Sequence, residues 1–84
     1  MDIEEIGSEV SGREGMIDFL RSAASDLAQS GDDWENATLR EFLEAWAAWL
    51  QDMPGWFANR GEPVPSQPSW DLLAKMVLAA RVYE

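Results

Sequence analysis

Eighty-four residues carrying sixteen acids, six bases, no histidine and no cysteine make one small, strongly acidic domain of formal net charge −10. Such a chain has room for a single core, offers no disulfide and no thiolate metal ligand, and repels nucleic-acid phosphates and anionic membrane surfaces alike. Without histidine and cysteine the commonest general base, the commonest metal ligand and every thiol nucleophile are missing too.

With no covalent staple, stability must come from packing, which points to a reducing, cytoplasmic compartment. No apolar run approaches the ~20 residues needed to cross a bilayer. The acidic start Met1-Asp2-Ile3-Glu4-Glu5-Ile6 lacks the basic-then-apolar order of a signal peptide. The acidity reads most simply as solubility. Its sharper reading is a protein partner with a basic surface, or mimicry of nucleic-acid charge. So many like charges lead to an expected result: the melting temperature rises when salt is added, or when the pH falls from 7 towards about 5, because self-repulsion is relieved. A melting temperature flat across both changes would show that the charges are well spaced.

In chain order, residues 1–10 read as a loosely ordered acidic arm whose Ile3, Ile6 and Val10 are free to dock on a core. The S-x-x-E run Ser11-Gly12-Arg13-Glu14 reads as a capping box. After it Met16, Ile17, Leu20, Ala23, Ala24 and Leu27 recur at three- and four-residue spacing, which predicts an amphipathic helix over about 12–30 with Gly31 as its stop. Thr38-Leu39-Arg40-Glu41 repeats the capping-box form. Leu39, Phe42, Leu43, Trp46, Leu50 and Met53 follow as a stripe widened by Trp49, so a second helix is expected over about 39–52, ended by Pro54. A short further helix near 54–60 would stop at Gly61. Glu62 to Pro68, with three prolines, reads as a stiff strap. A third main helix over about 68–82, capped by Gln67 or Ser69, is apolar on most sides and is expected to be the central one. The fold class is all-α, a compact three-helix bundle with residues 11–84 as its single domain.

Several runs resemble an uncharacterised family of small bacterial proteins, a domain of unknown function. The opening resemblance lies in Val10, Arg13-Glu14 and Phe19-Leu20. The most specific part is the W-E-N-x-T-L element, Trp34-Glu35-Asn36 with Thr38-Leu39, followed by Phe42-Leu43-Glu44-Ala45 and Trp49. Asn59-Arg60-Gly61-Glu62-Pro63, Ser69-Trp70, Ala79-Ala80 and Tyr83-Glu84 complete it. The resemblance implies a bacterial, stand-alone, single-domain protein and brings no activity and no catalytic residue with it.

Among candidate chemistries, Asp32, Asp33 and Glu35 supply oxygen ligands for a hard cation, but their spacing is not that of a calcium loop. Acids ahead of a helix interact well with its positive end. Glu41 and Glu44 sit together on a solvated helix face, whereas paired acid–base catalysis requires two carboxyl groups in different environments. No metal, cofactor or catalytic residue is expected. Trp46, Trp49 and Trp70 fit the helical stripes and are expected in the core. Trp34 and Trp56 lie at the joints flanking the second helix, and with Arg60 form the candidate interaction surface, since tryptophan and arginine dominate interface hot spots. Asn36 and Asn59 read as loop formers that bond their own backbone. The expected function is a non-enzymatic, acidic protein-interaction module (adaptor, regulator or immunity-type inhibitor), monomeric, with a basic partner and no affinity for nucleic acid or membrane. The alternative is a small-molecule or peptide binder using an aromatic groove near Trp34 and Trp56.

Overall fold

The computed structural model describes residues 2–83. Among them four helices follow one another: α1 (Ile3–Ser8), α2 (Arg13–Ser30), α3 (Leu39–Asn59) and α4 (Trp70–Ala80). A 3₁₀ turn, Gly31–Asp33, follows α2, and no strand forms among the described residues. The all-α class is as expected, with one more helix at the N-terminal side and one fewer break in the middle.

Side-chain caps start three of these helices. Asp2 accepts from the Glu5 amide, and Ser69 from the Leu72 amide. Thr38 and Glu41 exchange bonds in a full capping box: the Thr38 hydroxyl accepts from the Glu41 amide at 3.1 Å, and the Glu41 carboxylate accepts from the Thr38 amide at 3.3 Å. At α2 the expected Ser11 cap is replaced. Gly12 holds the N-cap position in extended conformation and has no side chain to offer. The C-terminus of α3 closes as expected on Gly61, which sits at φ +68°, where a side chain would be strained. Its amide reaches the Ala58 carbonyl and the Glu62 amide reaches the Phe57 carbonyl, the paired bonds of a Schellman motif.

The central position of the last helix holds: α4 packs against α1, α2 and α3. Ala74 and Ala80 are fully buried, and Leu72, Met76 and Val77 are buried with them. One cluster gathers Ile3, Val10, Met16, Phe19, Trp34 and Val77 between α1, α2 and α4. A second gathers Trp49, Phe57, Leu72 and Met76 between α3 and α4.

Residues 1–10 are no loose arm over the part the structure describes. Ile3–Ser8 is helical, Ile3 and Val10 are buried, and Gly7 rests directly on the core. A β-carbon at Gly7 would lie 2.7 Å from Leu78 Cδ1 and 2.9 Å from Phe19 Cε1. In an open helix glycine-to-alanine gains up to about 1 kcal/mol, whereas overpacking costs about 1–3 kcal/mol. Gly7→Ala is therefore expected to lose about 1 kcal/mol in a denaturant titration. An unchanged or raised midpoint would mean that α1 is not pressed against Leu78 and Phe19.

The expected break at Pro54 does not occur, and the second and short fourth helices are one helix through the proline. The physical reason lies in the side chains on either side of it. Trp49 and Phe57 are both buried in the cluster against α4, with Met53 and Trp56 packed on it. Only a continuous helix keeps all four on one face, and Pro54 itself is exposed to solvent. Residues 61–69 then cross to α4, each of them exposed, and Pro68 lies outside that helix.

Burial departs from the sequence reading in both directions. Trp70, expected in the core, is 41% exposed, and Leu20, Leu39 and Leu43 are 46%, 73% and 51% exposed. Trp34, expected at a joint surface, is only 7% exposed.

Candidate functional site

The exposed leucines have a geometric cause. α2 and α3 both pack on α4, yet no α-carbon of α2 lies within 8 Å of one of α3. The gap between them is an open groove of about 620 Å³. Met16, Leu20, Ala24 and Leu27 of α2 form one wall, and Leu39, Phe42 and Trp46 of α3 the other. Leu73 and Val77 of α4 line it between the two, together with Trp70. Trp34, Asn36, Ala37 and Thr38 of the connection line it too, and none of the described residues that line it is charged.

That connection is held rigid from behind. The Trp34 indole N–H donates to Asp26 at 2.7 Å, its ring stacks on Phe42, and the Arg81 guanidinium lies over it while pairing with Glu4 at 3.0 Å. Asn36 does not bond its own loop as expected. Its side-chain amide donates to the carbonyls of Ala80 and Tyr83, and its backbone amide to that of Arg81. The loop is thereby tied to the end of α4. Removing the side-chain amide leaves two part-buried carbonyls without this donor, so Asn36→Ala is expected to cost about 2 kcal/mol by thermal melting. A loss within error would show that water replaces the amide at no cost.

Three of the side-chain donors that line the groove are already used. Asn36 is spent on α4, the Thr38 hydroxyl on the capping box, and the Trp34 indole on Asp26. The Trp46 indole N–H has no acceptor among the described residues and is sealed from solvent. Within Trp34-Glu35-Asn36-Ala37-Thr38-Leu39, then, Trp34, Asn36 and Thr38 each do structural work, while Leu39 stands in water at the groove's edge.

The three residues expected to share an interaction surface do not meet. Trp34 lines this groove. Trp56 lines a separate depression of about 320 Å³ with Trp49, Lys75 and Leu78. Arg60 does join Trp56, its guanidinium stacked 4.6 Å from the indole centroid and 3.5 Å from Glu62. The proline segment lines neither cavity. Beside α3, the Tyr83 hydroxyl donates to Asp52; that bond, burial and the adjacent negative charge hold the phenol above its ordinary range. Among the described residues no group of acids is placed to hold a metal ion, and no helix is long and apolar enough to cross a membrane.

The groove was partly visible in the sequence. The stripe on α3 spreads over more than one face, because Phe42, Trp49 and Phe57 turn inward while Leu39, Leu43 and Leu50 turn outward. A stripe wider than one packing face is the signal that more than one neighbour is expected.

No curated protein and no solved structure matches the chain. The model of one family matches residues 12–84, and the chain therefore belongs to that family of unknown function, DUF7660.

Proposed function

We propose that this chain is a non-enzymatic protein-interaction module whose groove between α2 and α3 takes the apolar side of a partner protein with a basic surface. The open apolar groove carries the reading. A domain of this size keeps Leu20, Leu39 and Trp70 of that lining in water, and an exposed apolar patch of that kind is characteristic of docking surfaces. The net charge of −10 favours a basic partner and steers its approach. A groove of about 620 Å³ also lies in the size range of small-molecule sites, which supports a small apolar ligand as the second reading.

The test compares the protein with its Leu20→Ser/Leu39→Ser variant as paired baits in host lysate. Leu20 and Leu39 are 46% and 73% exposed, so each change is expected to alter stability by less than about 0.5 kcal/mol. The reading expects a protein retained by the parent, lost by the variant, and released by moderate salt. Identical retention by both baits, or none by either, overturns it.

A further inference from the structure

We infer that the occupant of the groove is a single amphipathic helix of the partner, basic on its outer side, laid between α2 and α3 as an additional member of the bundle. This rests on the reading of the groove as a docking surface and narrows its partner. The lining carries the argument. A peptide buried in an extended conformation brings unpaired backbone amides and carbonyls with it. The groove offers them few partners: the Asn36 amide N–H groups, the Thr38 hydroxyl and the Trp34 indole N–H are committed elsewhere, and the Trp46 N–H is sealed away. No strand edge exists among the described residues to pair with an incoming strand. A helix satisfies its own backbone and presents only side chains.

Geometry sets its length. The α2 wall runs from Met16 to Leu27, a rise of about 17 Å, which matches about three turns of a partner helix. Such a helix needs large apolar residues at positions i, i+4, i+7 and i+11. Charge sets its outer face. The connection that brings Trp34, Asn36, Ala37 and Thr38 into the groove also carries Asp32 and Asp33, both exposed and with no ion pair among the described residues. Lysine or arginine at one end of the incoming helix would meet these carboxylates.

Three labelled synthetic peptides test this by fluorescence anisotropy against the full chain. One has a leucine stripe at the stated spacing and lysines elsewhere, one has the same stripe with glutamates, and one has the first peptide's composition scrambled. The basic striped peptide is expected to bind at least about tenfold more tightly than either control. The Leu20→Ser/Leu39→Ser variant should weaken it by about tenfold, and Asp32→Asn/Asp33→Asn should remove most of the loss seen when salt is raised. Equal binding of basic and acidic peptides overturns the charge assignment, and equal binding of striped and scrambled peptides overturns the helix. If no peptide binds while lysate capture still depends on Leu20 and Leu39, the groove reading stands and this narrower inference falls. Sedimentation of the free protein as a dimer that the groove variant dissolves would make a second copy the occupant, and overturn it likewise.

Discussion

Replacing Phe19 with alanine is expected to remove about 3–5 kcal/mol of stability, the range for deleting a buried ring that its surroundings cannot refill. Phe19 has no measurable exposure and is the largest side chain so completely enclosed. It lies where α1, α2 and α4 meet, with Gly7 of α1 pressed on its ring edge. A domain of 84 residues has about 5–10 kcal/mol in total, so Phe19→Ala is expected near the threshold of folding at room temperature. Phe19→Leu keeps most of the volume and should lose less than about half as much. Urea titration monitored by tryptophan fluorescence measures both. A Phe19→Ala loss below about 1 kcal/mol would mean that α1 and α2 collapse into the vacated space, and that the core is looser than its burial implies.

Pro54→Ala is expected to act in the opposite direction. Within α3 the proline has no amide to give the Leu50 carbonyl, and its ring crowds that same carbonyl, at a cost of about 3 kcal/mol relative to alanine. Proline returns part of this by restricting the unfolded chain, about 0.4–1 kcal/mol. The net expectation is a stabilisation of about 2 kcal/mol, or about 10 °C in melting temperature for a domain of this size. Both Pro54 and the flanking Gly55 face solvent, so alanine at position 54 adds no packing of its own. A decrease in melting temperature would show that the bend imposed by proline is what lets Trp49 and Phe57 reach α4 together.

Helix ends and helix breakers show what local rules reveal and where they stop. Thr38, Ser69 and Gly61 act within a turn of the chain, and their roles in starting and ending helices are legible from neighbours three or four positions away. Pro54 is a local breaker outweighed by distant partners: Leu72 and Met76 on α4 give Trp49, Met53, Trp56 and Phe57 a common place to bury. α1 is hidden for a related reason. Six residues form no stable helix by themselves, and this one exists because Gly7 admits close contact with Leu78 and Phe19. Asn36 was legible as a polar loop residue, but its partners lie 44 and 47 positions away. The groove was half legible. Helical spacing marks Leu20, Leu39 and Trp70 as apolar faces, but spacing cannot tell a face covered by the chain from one left open. Only the separation of α2 from α3 decides that.

The docking of α1 bears on how large the cooperative unit is. Family similarity runs over residues 12–84, yet Ile3, Ile6, Gly7 and Val10 all pack on the core behind that boundary. A fragment excised along the line of sequence similarity would strip the cover from Phe19 and Leu78, and would open a second apolar surface where α1 had packed on α2 and α4. Such a fragment would self-associate through an artefact of its own truncation, and its stickiness would be mistaken for the recognition property of the intact groove.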